Sequence, residues 1–163
     1  MDYFSKKKIA VLIISRTNSK RLSNKAKLKI KCLNLIEIIL KRTLKEIKNK
    51  NIIICSSNNA NNDKIFYKRL SVKYNVGVFF GSEKNVLKRI INYLEKNRFK
   101  HFVRVTGDNP LVDINAIKKL SLKHILSNSE YTYTDSLPMG MKSEVFSLQA
   151  LKKNYNKIID LNS

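Results

Sequence analysis

Cationic and hydroxyl-bearing side chains crowd one short stretch of this chain, and a single carboxylate sits in a tight turn of another. Leu12 to Lys25 reads LIISRTNSKRLSNK and supplies Arg16, Lys20, Arg21 and Lys25, with Ser19 among them. Guanidinium and ammonium groups neutralise a polyphosphate, while hydroxyl and backbone N–H groups hold its oxygens. Phe102 to Asp113 reads FVRVTGDNPLVD and carries Asp108 in the turn Thr106-Gly107-Asp108-Asn109-Pro110. A hard cation such as Mg²⁺ takes a carboxylate together with phosphate oxygens. The two stretches together suit chemistry at a nucleoside triphosphate. Each also has a plainer reading. In so basic a chain the first can be a solvated loop, and an Asp before Pro commonly forms a turn. Arg104 and Thr106 stand at even offsets from one another, so they share one face of the strand that leads into Asp108.

These residues need elements to position them. Ile9 to Ile14 is a continuous apolar run, as a strand buried on both faces should be. Short runs at Asn51–Cys55, Val76–Phe80 and Phe102–Thr106 read as further strands, with weaker candidates at Tyr131–Thr134 and Ser143–Ser147. Helical spacing appears in Leu35–Ile47, Ile65–Tyr74, Glu83–Asn97, Asn115–Leu126 and Leu148–Ile159. Ser82 is a natural N-cap for the third of these and Asp113 for the fourth. Strands alternating with helices predict an α/β, Rossmann-like three-layer sandwich with a mainly parallel sheet. Ligands of such sheets bind beyond the carboxyl ends of the strands. The loops after Ile14, Cys55, Phe80 and Thr106 are thus expected on one rim.

The chain has 163 residues, enough for a single domain with one substantial core, and 43% of them are hydrophobic. No apolar run is long enough to span a bilayer, so no membrane partner is expected. The opening MDYFSKKKIAVLII stops its apolar part at Arg16 without a small-residue cleavage site, and reads as a first strand. Cys32 and Cys55 are too few for a metal or disulfide framework, which favours reduced thiols and a cytoplasmic location. The net charge of +21 invites a nucleic-acid reading. Lys is spread over nearly every segment, however, and Lys, Asn and Ile share A/T-rich codons, so biased base composition explains the mixture. No specific nucleic-acid partner is expected, only salt-labile attraction.

Four motifs, in order along the chain, carry a family resemblance. Ser15, Arg16, Ser19, Arg21, Leu22 and Lys25 follow the pattern A-R-x-x-S-x-R-L-x-x-K, with Ser in place of the first Ala. Gly81, Ser82, Glu83, Val86, Leu87 and Arg89 follow G-S-E-x-x-V-L-x-R. Arg104, Thr106, Gly107, Asp108, Pro110, Leu111 and Asp113 follow R-x-T-G-D-x-P-L-x-D. Pro138, Gly140, Glu144, Val145, Phe146 and Ser147 follow P-x-G-x-x-x-E-V-F-S. In these the chain resembles the cytidylyltransferases that activate sugar acids, and most of all the branch of spore coat polysaccharide biosynthesis proteins.

The resemblance implies the fold of the nucleotide-diphospho-sugar transferases. It also implies transfer of CMP from CTP to a sugar acid with release of pyrophosphate, in surface polysaccharide or glycan biosynthesis. By resemblance Arg16, Ser19, Arg21 and Lys25 hold the triphosphate, and Asp108 binds Mg²⁺. Arg16, Lys25 and Asp108 are the catalytic candidates. Ser82, Arg89, Arg104 and Thr106 lie on the nucleotide side, and Gly140 and Glu144 on the sugar side. Asp63 resembles a family position of unclear role.

The chain departs from the family at Asn18, Ser23 and Asn24, where Gly or Pro-Gly is frequent. It departs again at Lys142, where many relatives are acidic. The family also continues past the final helix, with a second metal-binding carboxylate and dimer contacts. The expectation is one domain over 1–163 without that segment, a homodimer being among the expected partners. Alternatives are another nucleotidyl- or glycosyltransferase on this fold, an inactive nucleotide-binding relative, or a basic RNA binder.

Overall fold

The computed structural model describes residues 2–15, 25–58 and 61–160. Strand β1 (Ile9–Ile14) lies at the centre of a six-stranded sheet with β4 (Ile52–Ser57), β5 (Gly77–Gly81), β6 (His101–Thr106), β7 (Tyr131–Tyr133) and β8 (Glu144–Ser147), in the order β5-β4-β1-β6-β8-β7. The pairs β5·β4, β4·β1 and β1·β6 are parallel, whereas β8 runs antiparallel to β6 and β7 antiparallel to β8. Helices α1 (Tyr3–Lys6), α2 (Leu35–Leu44), α3 (Asn61–Tyr74), α4 (Val86–Lys96), α5 (Ile114–Leu126) and α6 (Leu148–Asp160) complete the domain. A small hairpin of β2 (Lys29–Ile30) and β3 (Leu33–Asn34) precedes α2. Its strands are too short to leave a periodic signal in the sequence.

The alternation of β1 sets the layers. Ile9, Val11 and Ile13 pack with Ile36, Ile39 and Leu40 of α2, Tyr67 and Leu70 of α3, and Ile117 and Leu120 of α5. Ala10 and Leu12 pack on the other face with Ile90 and Leu94 of α4 and with Leu148 and Leu151 of α6. Residues 9–13 are all fully buried, which is why the run carries no polar side chain. Each such Ile or Leu contributes about 1.5–3 kcal/mol relative to exposure. The expected three-layer sandwich is therefore the observed one.

From β1 the sheet grows outward through β4 and β5, and the chain then returns to lay β6 on the other side of β1. The order reverses between β1 and β6, and a crevice opens there at the strands' carboxyl ends. Backbone bonds join the rim: Ser15 N–H donates to Cys55 O at 3.1 Å, Asn58 N–H to Gly81 O at 2.9 Å, and Gly107 N–H to Ile14 O at 2.8 Å. The loops expected on one rim do share it.

Helix starts follow local capping. Asp113 caps α5 as expected, accepting from Ala116 N–H at 3.0 Å. The cap of α4 is Asn85 rather than Ser82: Asn85 Oδ1 accepts from Lys88 N–H at 2.8 Å, and Ser82 Oγ accepts from Asn85 N–H at 3.1 Å. Both side chains can cap, and Asn85 stands closer to the apolar stripe, so the helix begins at Val86. Among the described residues no helix is long and apolar enough to cross a membrane.

Candidate active site

The crevice at the ends of β1 and β6 holds a cavity of about 390 Å³, walled in part by Ser15, Lys25, Arg89, Arg104, Thr106 and Asp108. Gly107 makes the approach of the two strand ends possible. A Cβ on it would stand 2.6 Å from Ser15 Cβ and 2.7 Å from Ser15 Oγ. Any side chain there would push β6 from β1 and carry Asp108 with it. Lys25, in a short 3₁₀ turn at Lys25–Lys27, reaches across the cavity to Asp108, Nζ to Oδ2 3.6 Å. Both side chains are more than a third exposed, so the pair is weak and can open to a ligand.

Asp108 is the one carboxylate lining this cavity among the described residues, where no cluster of three or more His, Cys, Asp or Glu side chains occurs. Such a donor set suits a cation that completes its shell with ligand oxygens and water. Mg²⁺ behaves this way, whereas zinc sites commonly need three or four protein ligands.

Arg89 is a second feature of this cavity. Its side chain comes off α4 under Gly81, where a Cβ would meet Arg89 Cγ at 2.7 Å. The residue is 1% exposed, yet it has only one described bond, from Nη1 to Ser82 O at 3.0 Å. Among the described residues Nε and Nη2 are buried without a hydrogen-bond partner, although the Cys55 thiol lies near enough for the guanidinium to lower its pKa against the effect of burial. Buried guanidinium donors are costly to leave unmatched, so their persistence at a cavity wall favours a ligand acceptor there. Cys55, at the end of β4, is also buried, and burial pushes its thiol up to about 11, which rules it out as a nucleophile near neutral pH.

A smaller cavity of about 220 Å³ adjoins the first and shares Arg104 and Thr106 with it. Arg104 and Glu144 are register partners on β6 and β8. Arg104 Nε donates to Glu144 Oε2 at 2.6 Å, and the Tyr131 hydroxyl donates to Glu144 Oε1 at 2.8 Å. Tyr131 and Tyr133 stack along the strand at 5.5 Å between ring centroids and are about half exposed. Gly140, at φ +93°, turns the chain beside them, in a conformation that strongly favours glycine. Lys142 stands 3.8 Å from Asp135.

The structure thus brings together Lys25, Arg89, Arg104, Thr106 and Asp108 at one cavity, and Gly140 and Glu144 at its neighbour. It does not bring Ser82 in by its side chain, which is exposed and joins the start of α4. Arg16, Ser19 and Arg21 lie outside the described residues. Glu144 serves first as the anchor of Arg104. Tyr131 and Tyr133 escaped the sequence reading, although two Tyr residues at alternate positions of a strand must share a face. His101 and His124 bond to each other at 3.1 Å and line neither cavity.

A family model described as cytidylyltransferase matches residues 10–159. The chain is 39% identical to an uncharacterized protein of Methanocaldococcus jannaschii, over 90% of its own length and 59% of that relative's. It is 27% identical to a spore coat polysaccharide biosynthesis protein of Bacillus subtilis, covering 94% of the chain and 68% of the relative. Among solved structures, a cytidylyltransferase from Leptospira borgpetersenii superposes with a TM-score of 0.79 at 26% identity, over 90% of this chain and 63% of that one. The chain therefore spans about three fifths of the M. jannaschii and L. borgpetersenii proteins.

Proposed function

Because this chain belongs to the cytidylyltransferase family, we propose that it transfers CMP from CTP to a sugar acid in surface polysaccharide or glycan biosynthesis. One observation carries the reading. The crevice at the reversal of strand order holds an openable Lys25–Asp108 pair beside a buried arginine with unmatched donors. In this reading CTP lies across the crevice, with its triphosphate toward Lys25 and Asp108 and its cytidine toward Arg89. Arg16, Ser19 and Arg21 join Lys25 as triphosphate contacts. The acceptor occupies the smaller cavity, bordered by Arg104, Gly140 and the Tyr131–Tyr133 pair.

Mg²⁺ held by Asp108 and phosphate oxygens would supply charge neutralisation at the reacting phosphate. The acceptor's anomeric oxygen forms a bond to the α-phosphorus. The bond from that phosphorus to the oxygen bridging to the β-phosphate breaks, and pyrophosphate leaves with the electron pair. The hydroxyl proton passes to solvent. Lys25, freed from Asp108, faces the charge that builds on the departing pyrophosphate, where a cation is worth most. Arg104, fixed by Glu144, sits between donor and acceptor and orients the attacking group; correct orientation is a large part of the acceleration in such transfers.

Calorimetric titration with Mg²⁺ and each of CTP, UTP, ATP and GTP tests the reading. CTP is expected to bind at least about tenfold more tightly than ATP or GTP, a difference of about 1.4 kcal/mol. Equal binding of all four nucleotides would reduce the site to charge attraction and overturn the cytidylyl assignment.

A further inference from the structure

We propose that Asp63 and Tyr67, on one face of α3, are positioning residues that hold Lys25 and Asp108 opposite each other across the crevice. Neither residue lines the cavity. Their contacts run to the backbone segments on its two sides. Tyr67 is fully buried, and its hydroxyl bonds to Ser15 Oγ at 2.7 Å, also buried. Ser15 in turn fills the space that a side chain on Gly107 would need, and Ile14 O holds Gly107 N–H. The placement of Ser15 therefore fixes where the turn into Asp108 begins.

On the other side, Lys27 Nζ donates to Asp63 Oδ1 at 2.9 Å, with Asp63 only 5% exposed. The ring of Phe66 lies 5.4 Å from the same ammonium group, and the backbone between is held by buried Ala26. Lys27 belongs to the turn that carries Lys25. Asp63 and Tyr67 stand one helical turn apart and so project from one side of α3. One rigid helix thus ties down both members of a pair that joins segments far apart in sequence.

An ion pair with one buried member is weak evidence for stability but good evidence for geometry. Removing one partner leaves the other unmatched and free to relax. The pair Lys27–Asp63 is mostly sheltered, while Lys25–Asp108 is open. The sheltered pair sets the position, and the open pair remains available to ligand.

Hydrogen exchange on the full chain without nucleotide tests the clamp directly, using Tyr67→Phe and Asp63→Asn, which keep shape and remove one group each. Loss of one such hydrogen bond should speed exchange by about tenfold in the segment it holds. For Asp63→Asn this is residues 25–34, and for Tyr67→Phe it is residues 106–112. Exchange in β8 and α6 should be unchanged. The reversed pair, Lys27→Asp with Asp63→Lys, should restore protection of 25–34. No change, or equal acceleration of every segment, would overturn the proposal.

The kinetic consequence rests on the transferase reading. In pyrophosphate release with CTP and sugar acids, both variants should lose about 10- to 100-fold in kcat with little change in KM for CTP. A parent protein that turns over nothing, with variants that loosen locally as expected, would uphold the clamp and sink the transferase reading. An active parent with variants unchanged in both exchange and kcat would sink the clamp and leave the transferase reading standing.

Discussion

The cavity at the ends of β1 and β6 and the smaller cavity beside β7 and β8 share Arg104 and Thr106, yet their polar groups are engaged differently. In the larger one, Arg89 keeps two buried donors without hydrogen-bond partners among the described residues, and Lys25 and Asp108 meet at 3.6 Å in a loose pair. In the smaller one, Glu144 already accepts from both Arg104 and Tyr131, and the aromatic wall is half exposed. The larger cavity is held by the parallel strands β1, buried on both faces, and β6, the smaller by two short antiparallel strands at the sheet's edge. A rigid frame can keep unmatched charges waiting for one ligand, because the surrounding backbone cannot collapse onto them. An edge built from short strands satisfies its own polar groups first and presents stacking surface, which tolerates variation in what it binds. The contrast predicts strict selection of the nucleotide and looser selection of the acceptor.

The severest way to break this contrast is Asp108→Asn. It keeps the turn and removes the only carboxylate of the larger cavity among the described residues. Metal-dependent pyrophosphate release should fall by about 100- to 1,000-fold, the scale for losing one electrostatic group at a transition state. Circular dichroism should be unchanged. Release at the parent's rate would refute the metal role.

Arg89→Met comes next and separates ligand binding from folding. CTP affinity should fall by about 10- to 100-fold, the worth of a hydrogen bond or two to a charged group. The melting temperature should hold or rise, because a well-packed apolar side chain replaces a buried charge whose donors were unmatched. Lower stability with unaltered CTP binding would make Arg89 a structural residue.

Glu144→Gln should act on the acceptor side alone. Arg104 and Glu144 are partly exposed, so their bond is worth little to stability. KM for the sugar acid should rise several-fold while CTP affinity stays constant. A matching loss of CTP affinity would show that the two cavities do not divide the substrates as described.

The smallest effect concerns neither cavity. His124 is buried, and its Nδ1 meets Thr132 Oγ1 at 2.9 Å. Burial, and then the nearby His101, hold its pKa down to about 4. The native state keeps this ring neutral while an unfolded chain protonates it near pH 6.5, so the unfolded state binds the extra proton. Stability should decline as pH falls from about 6.5 to about 4. His124→Gln, which cannot titrate, should flatten that part of the profile in urea unfolding. An unchanged slope would remove His124 from the acid response.

Much of this was legible in the chain itself. The unbroken apolar run Ile9–Ile14 is short and rich in β-branched residues, which favours a strand covered on both faces, and such a strand needs helices above and below it. Gly107 and Asp108 directly after an apolar run place a carboxylate at a strand's carboxyl end, where such folds bind ligands. These conclusions need only local periodicity and backbone sterics, which neighbouring residues determine among themselves.

Other features belong to the tertiary structure. That β6 rather than β5 lies against β1 brings Asp108 opposite Lys25, and strand order is a property of the whole sheet. The unmatched donors of Arg89 arise because α4 packs beneath Gly81, and no spacing within GSEKNVLKR announces burial of the guanidinium. Asp63 and Tyr67 read as ordinary residues of a helix until α3 docks beside Ser15 and Lys27. The local sequence settled which long elements form and which chemical groups they carry, the short β2–β3 hairpin excepted. Only their packing decided which groups meet, because contacts between distant segments depend on every layer of the domain closing at once.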